Sequence, residues 1–139
     1  AGVEFLRRVN LGEELKLEGG TIVIGGGNVA IDVARTATRV GAEKVNMYCL
    51  ESREQMPALE EEIEEALEED ISINNSWGPK RIVLEDAHVV GVEFKKCISV
   101  FDENRRFNPK FDENETKIVK ADNVIISAEL NTFCNYRYF

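Results

Sequence analysis

The first half of the chain alternates short unbroken apolar runs with stretches whose apolar residues recur at helical spacing. Unbroken runs are typical of parallel strands that are buried on both faces. They predict strands at residues 21–24, 44–50 and 71–77. Helical spacing predicts helices at residues 3–9, 28–40 and about 58–69. The strand–helix–strand–helix–strand order from residue 21 to residue 77 predicts a parallel sheet with right-handed crossovers.

The second half has a different period, which begins after Gly78-Pro79. Apolar and polar residues alternate there on both sides of Asp86-Ala87, as in an antiparallel hairpin. Residues 102–117 are charged with little apolar pattern, and we interpret residues 102–113 as a mobile hairpin extension. Strands are predicted at residues 81–85, 88–101, 117–120 and 124–128, the last rejoining the parallel sheet. The predicted fold class is α/β: a Rossmann-like three-layer domain with a parallel sheet plus an antiparallel β-meander.

Composition and charge argue against two classes of protein. A formal net charge of -9 disfavours nucleic-acid binding, because phosphate binding needs clustered Lys and Arg. The sequence has no run of about 18 apolar residues that would span a membrane. Cys49, Cys97 and Cys134 form no C-x-x-C pair, which fits reduced thiols better than disulfides or a zinc site. We expect a cytoplasmic protein with no nucleic-acid partner and no membrane partner.

Three consecutive glycines lie where the first strand meets the second helix. Gly25, Gly27 and Ala30 fit the G-x-G-x-x-A pattern of dinucleotide-binding turns. Gly25 permits the turn, Gly27 lets a pyrophosphate approach the backbone, and Ala30 lets the helix pack near the strand. The helix N-terminus offers free N–H groups to the phosphates. The alternative is a tight turn without a ligand, since such a turn alone could need two of the three glycines.

An acidic residue strengthens the dinucleotide interpretation. Glu51 follows the second predicted strand, 24 residues after Gly27, where a ribose-binding carboxylate is expected. A carboxylate there accepts hydrogen bonds from both ribose hydroxyls and repels a 2′-phosphate. The pattern therefore predicts NAD as the cofactor, with NADP as the alternative.

The sequence predicts no catalytic residue and no metal ligand. His88, the only histidine, lies beside a predicted turn with no evident base or metal partner. Residues 102–113 have the length of a calcium loop, but Arg106 and Phe107 stand where an oxygen ligand and a glycine belong. That substitution excludes an EF-hand.

Four segments together resemble a known family: "GGGNVAIDVARTATRVGAEKV", "ESREQMPALEEEIEEALEE", "GPKRI" and "VVGVEFKKC". They are similar to the NAD(P)H-binding domain of glutamate synthase small-subunit-type flavoproteins, which are pyridine-nucleotide oxidoreductases with two dinucleotide-binding domains. One domain of these enzymes binds FAD, and the other is inserted into it and binds NAD(P)H. The resemblance covers about residues 2–128. It implies that hydride passes from nicotinamide to flavin, often onward through iron–sulfur clusters.

The resemblance also implies roles for particular residues. Ser52 and Arg53 would lie beside the adenosine ribose. Pyrophosphate contacts are implied for Gly25, Gly26, Gly27, Asn28 and Val29. With Ala30 and Glu51, these residues make up the predicted cofactor site.

Two departures from the family pattern affect the cofactor. Many relatives have two arginines after the second strand, where this chain has Leu50-Glu51, and this difference favours NAD. Arg53 acts in the other direction, since it could pair with a 2′-phosphate. Relatives tend to end in V-I-x-A-x-G-Q, and Glu129-Leu130 replaces the Gly-Gln pair here, so the positioning of nicotinamide stays open.

The resemblance suggests a division of the chain. Residues 1–20 are expected to be a helix and linker that lead into the domain, residues 21–128 the NAD(P)-binding domain, and residues 129–139 a tail that leads out. Because no FAD fingerprint accompanies them, we expect one domain of a larger oxidoreductase whose flavin domain is its partner. Alone, it would bind NAD(H) without transferring hydride. The alternative is a free-standing nucleotide-binding or redox-sensing module without catalysis.

Overall fold

The computed structural model describes residues 2–13 and 16–127. Its helices are α1 (Gly2–Asn10), α2 (Asn28–Arg39) and α3 (Glu60–Glu68), with a 3-10 turn at Arg53–Gln55. Its strands are β1 (Gly20–Ile24), β2 (Lys44–Tyr48), β3 (Ser72–Asn74), β4 (Trp77–Glu85), β5 (His88–Phe101), β6 (Phe107–Lys120) and β7 (Asn123–Ile126). None of the described helices is long and apolar enough to cross a membrane. The predicted tail, with Cys134 and the Glu129-Leu130 departure, lies outside the described residues.

The strands form two sheets of different type. The parallel sheet has the order β3-β2-β1-β7, and the antiparallel sheet has the order β4-β5-β6. β7 pairs in parallel with β1, which confirms that the last strand rejoins the parallel sheet. Because β2 and β7 lie on opposite sides of β1, the strand order reverses there. In open α/β sheets, ligands bind at the carboxyl ends of the strands at such a point.

β1 lies between two apolar cores. Val23 packs with α2 and α3 residues such as Ile31 on one face of the sheet. Ile22 and Ile24 pack on the other face with Phe94 of β5. All three β1 side chains are at most 1% exposed. The fold therefore has three layers, helices, parallel sheet and antiparallel sheet, and the predicted Rossmann-like α/β class is confirmed.

Two strand predictions were wrong in extent. The third parallel strand ends at Asn74, and Trp77 already belongs to the antiparallel sheet. β4 continues through Pro79, with a register irregularity there, because an edge strand tolerates a residue that lacks an N–H group. β6 begins at Phe107 instead of about residue 117, although none of its residues is buried. The segment taken as a mobile extension is therefore largely paired strand.

Candidate functional site

A cavity of about 550 Å³ lies at the carboxyl ends of β1 and β2. Cofactor and small-molecule sites typically have volumes of roughly 300–1,000 Å³. The cavity brings together six of the nine residues predicted from sequence: Gly25, Gly26, Gly27, Asn28, Val29 and Glu51. The antiparallel sheet supplies a further wall, with Trp77, Pro79, Phe101 and Phe107.

Gly25 and Gly26 are both closely surrounded by protein atoms. Gly25 has φ +147°, and a Cβ atom there would lie 3.1 Å from both the Ala30 Cβ and the Ser127 backbone oxygen. A Cβ atom at Gly26 would lie 3.0 Å from the Cβ of buried Cys49 and 2.9 Å from the movable Glu51 Oε2. Both positions therefore have a structural reason for glycine that does not involve a ligand.

Gly27 has no such steric reason. Its φ is -96° and its ψ is -179°, which any residue adopts, and a Cβ atom there would meet no protein atom within 4 Å. Gly27 is the N-cap of α2, and no side chain makes a capping hydrogen bond there. A bare backbone and a helix N-terminus thus line the cavity together, an arrangement suited to a bound anion.

The first residues of α2 have three different surroundings. Asn28 Oδ1 accepts a hydrogen bond from the Leu59 backbone N–H at 3.0 Å, which fixes the start of α3 against the start of α2. Val29 is 41% exposed and lines the cavity. Ala30 is fully buried, so its side chain packs in the core and does not reach the cavity. The predicted packing role of Ala30 agrees with this position.

Glu51 lies three residues beyond the end of β2 and lines the cavity. Its backbone oxygen accepts hydrogen bonds from Ser76 N–H at 3.1 Å and from the Asn75 side-chain amide at 3.2 Å. Burial raises the pKa of the Glu51 carboxyl, because the charged form loses solvation. The backbone of Glu51 is therefore fixed beside the cavity, where hydroxyl donors of a ligand would stabilise the charged carboxylate.

Ser52 and Arg53 do not line the cavity. The Ser52 N–H donates to Gln55 Oε1 at 3.4 Å. Arg53 Nη2 donates to Glu60 Oε1 at 2.8 Å, while its Nη1 is buried without a hydrogen-bond partner among the described residues. The guanidinium is thus paired with a carboxylate of α3.

The described cysteines offer no reactive thiolate. Burial, reinforced by the charge of Glu51, raises the pKa of Cys49 to about 12. Burial also raises the pKa of Cys97. Both thiols therefore stay protonated near neutral pH and are poor nucleophiles. Within residues 2–13 and 16–127, no group of three or more His, Cys, Asp or Glu side chains is placed to hold a metal ion.

The wall from the antiparallel sheet was not foreseen from the sequence. Phe101 and Phe107 flank the loop between β5 and β6. Phe101 ends the strand predicted at residues 88–101, whereas Phe107 lies in the segment interpreted as a mobile extension. The available signal was a pair of aromatic residues on either side of a short polar loop. Nothing in the spacing showed that this loop reaches the glycine turn, which is about 75 residues earlier in the sequence.

The fold is shared with an NADPH-complexed oxidoreductase of known structure, FprA from Mycobacterium tuberculosis. The TM-score is 0.73 over 91% of this chain and 44% of that chain, with 16% sequence identity. At this identity the match establishes the fold alone. The protein is therefore of the Rossmann-like α/β class found in reductases.

Sequence relatives give a closer assignment. The NADPH-Fe(3+) oxidoreductase subunit beta of Geobacter sulfurreducens is 33% identical over 126 residues, which are 89% of this chain and 19% of that protein. The glutamate synthase [NADPH] small chain of Halomonas elongata is 32% identical over 115 residues, 81% of this chain and 24% of that protein. No protein-family model matches. The resemblance to oxidoreductases of the glutamate synthase small-subunit type is confirmed, and the chain spans about a fifth to a quarter of these relatives' length.

Proposed function

We propose that this chain is the NAD(P)H-binding domain of a larger FAD-dependent oxidoreductase in which hydride passes from nicotinamide to flavin. Gly27 carries the proposal, because neither its backbone angles nor its neighbours require glycine. Glycine is a good N-cap residue, but Ser, Asn or Asp caps a helix better and would meet no steric conflict here, so the bare backbone is explained by a ligand that approaches it closely. The relatives, which are oxidoreductases, support the same function.

The geometry supports a division of roles along the cavity. The pyrophosphate would lie at Gly27 and the N-terminus of α2, where N–H groups and the helix dipole favour negative charge. The adenosine ribose would lie at Glu51, whose carboxylate accepts from its hydroxyls. Asn28 would act by holding α3 against the turn, through its bond to Leu59. Ser52 and Arg53 would support the loop that carries Glu51.

The positions of Glu51 and Arg53 also lead us to propose which of NAD and NADP the domain prefers. Glu51 lines the cavity, whereas Arg53 does not and is paired with Glu60. A carboxylate next to the ribose repels a 2′-phosphate, so we propose a preference for NAD(H). The names of both relatives specify NADPH, which makes this preference a point of difference from them.

FAD and any iron–sulfur clusters belong, in this proposal, to the rest of the parent protein. The isolated chain would bind NAD(H) and transfer no hydride, because it lacks the acceptor. Its partner would be the flavin domain of the same protein, and the compartment would be the cytoplasm. Stoichiometric FAD bound to the purified chain would contradict this division.

The test replaces Gly27 by alanine and measures NADH binding by titration calorimetry. The added methyl group meets no protein atom but occupies the space proposed for the pyrophosphate. We expect Gly27→Ala to weaken NADH binding at least tenfold, about 1.4 kcal/mol. Gly20→Ala is the matched control, since its Cβ would have only a 4.0 Å contact and lies outside the cavity. Unchanged affinity in folded Gly27→Ala would overturn the proposal.

A further inference from the structure

The tip of the β5–β6 hairpin places two aromatic rings in the wall of the cavity. Phe101 ends β5 and Phe107 begins β6, and the two are cross-strand partners. Their ring centroids are 6.4 Å apart with an angle of 79° between the planes. The residues are 43% and 44% exposed, and both line the cavity that contains the glycine turn. Aromatic surface is therefore available to a ligand in the same cavity.

The hairpin is attached to the segment that carries Glu51. Leu50, which directly precedes Glu51, is 4% exposed and forms a small core with Cys97 and Val100 of β5. The Cys97 N–H also donates to the Ser76 backbone oxygen at 2.8 Å. These contacts fix the hairpin on the β2 side of the parallel sheet, next to the carboxylate.

We propose that Phe101 and Phe107 form the subsite for the adenine ring of the dinucleotide. This inference rests on the proposed function, which puts the pyrophosphate at Gly27 and the adenosine ribose at Glu51. Adenine is the group attached to that ribose, so it extends away from the pyrophosphate on the β2 side. Nicotinamide lies across the strand-order reversal, on the β7 side.

The chemistry of the two rings fits a purine base. Adenine is flat and aromatic, and such rings are held by stacking or edge-to-face contacts with aromatic side chains. Two rings at nearly a right angle offer one contact of each type. The phenylalanines carry no polar group, so they would contribute affinity for the adenosine half and no discrimination between NAD and NADP.

The test compares two ligands that share the adenosine diphosphate half. Binding of NADH and of ADP-ribose, which lacks nicotinamide, is measured by titration calorimetry for Phe101→Ala, Phe107→Ala and the double variant. We expect the double variant to lose at least tenfold in affinity for both ligands, by the same factor. Ile98→Ala is the matched control, because Ile98 lies on the same hairpin, is 67% exposed and does not line the cavity.

The outcomes separate this inference from the proposed function. Suppose that the unmodified chain binds NADH, and that the double variant binds ADP-ribose as tightly as the unmodified chain does. The proposed adenine subsite is then wrong, while the proposed function stands. A loss for NADH without a loss for ADP-ribose would place the rings at the nicotinamide half and also overturn the inference. If the unmodified chain binds neither ligand, the proposed function itself fails. Circular dichroism of each variant verifies that it is folded.

Discussion

β1 and β6 are both strands, but β1 is buried on both faces, whereas β6 lies at the exposed edge of its sheet. In β1 every residue from Thr21 to Ile24 is at most 1% exposed, because helices cover one face and the antiparallel sheet covers the other. No residue of β6 is buried. β6 is an edge strand that carries charges and Pro109, features that block pairing with a further strand.

This difference shows what determines the choice of amino acid at each position of the two regions. The identity of a β1 residue is determined by packing on both faces, so its apolar character says little about function. The exposed apolar residues of the β5–β6 hairpin have no such requirement. The exposed rings of Phe101 and Phe107 are therefore more informative about a ligand than any buried residue of β1.

The largest expected effect is on the free energy of unfolding, when one isoleucine from each region is replaced by alanine. Ile22→Ala removes a fully buried side chain from β1 and should cost about 2–5 kcal/mol of unfolding free energy. Ile98→Ala, at a site 67% exposed on the hairpin, should change it by less than about 0.5 kcal/mol. Urea denaturation of the two variants measures both values. Equal costs would show that the hairpin is as tightly packed as the parallel sheet.

The same difference decided which elements the sequence could predict. The predicted strand at residues 21–24 and the predicted helix at 28–40 agree with β1 and α2, because burial imposes their periodicity. β6 could not be recognised from residue 107 onward, since neither of its faces is buried and its register with β5 shifts three times. Phe111 and Val119 pack against the two neighbouring cores, but the rest of the strand is held mainly by hydrogen bonding, which leaves no apolar pattern.

Positive φ angles give a second comparison of the two regions. Gly25, after β1, has φ +147° and close contacts with Ala30 and the Ser127 backbone. Ala87, in the two-residue β4–β5 turn, has φ +65° and is exposed. Gly25→Ala should therefore destabilise the fold by about 1–3 kcal/mol. Ala87→Gly should stabilise it by up to about 1 kcal/mol, because that turn favours glycine.

Thermal or urea unfolding measures both changes, and Gly27→Ala is the control within the glycine turn. At Gly27 the loss of a good N-cap residue and the lower entropy of the unfolded chain nearly cancel, so stability should stay within about 0.5 kcal/mol. A Gly25→Ala variant as stable as Gly27→Ala would contradict the structural role assigned to Gly25.

The candidate site was predictable only where its residues are close in sequence or follow consecutive strands. The glycine turn and Glu51 meet because β1 and β2 are parallel neighbours. The approach of Phe101 depends on packing between Leu50 and Val100, a contact that no local pattern encodes. The position of Arg53 also required the structure, since its pairing with Glu60 depends on the angle between the loop and α3.

Glu51 lies where the two regions meet, and its replacement by glutamine has an expected effect on the pH dependence of stability. Because burial raises its pKa, the fold favours the protonated carboxyl over the charged one. This contribution to the stability of the fold is fully present below the ordinary Glu pKa of 4.5, and it is lost as pH rises through the raised pKa of Glu51. Glu51→Gln should remove this loss, as measured by urea unfolding between pH 4 and 7. An unchanged pH profile would contradict the assigned burial.

The last expected effect concerns binding instead of stability: it is the preference between NADH and NADPH. The ribose hydroxyls donate charge-assisted hydrogen bonds to Glu51, whereas the 2′-phosphate of NADPH brings like charge to the same carboxylate. We expect the unmutated chain to bind NADH about tenfold more tightly than NADPH, about 1.4 kcal/mol, and Glu51→Gln to reduce this ratio towards one. Glu54→Gln, an exposed neighbour outside the cavity, should leave the ratio unchanged. Equal or tighter NADPH binding by the unmutated chain would mean that Arg53 leaves Glu60 for the phosphate, and that α3 contributes to cofactor choice.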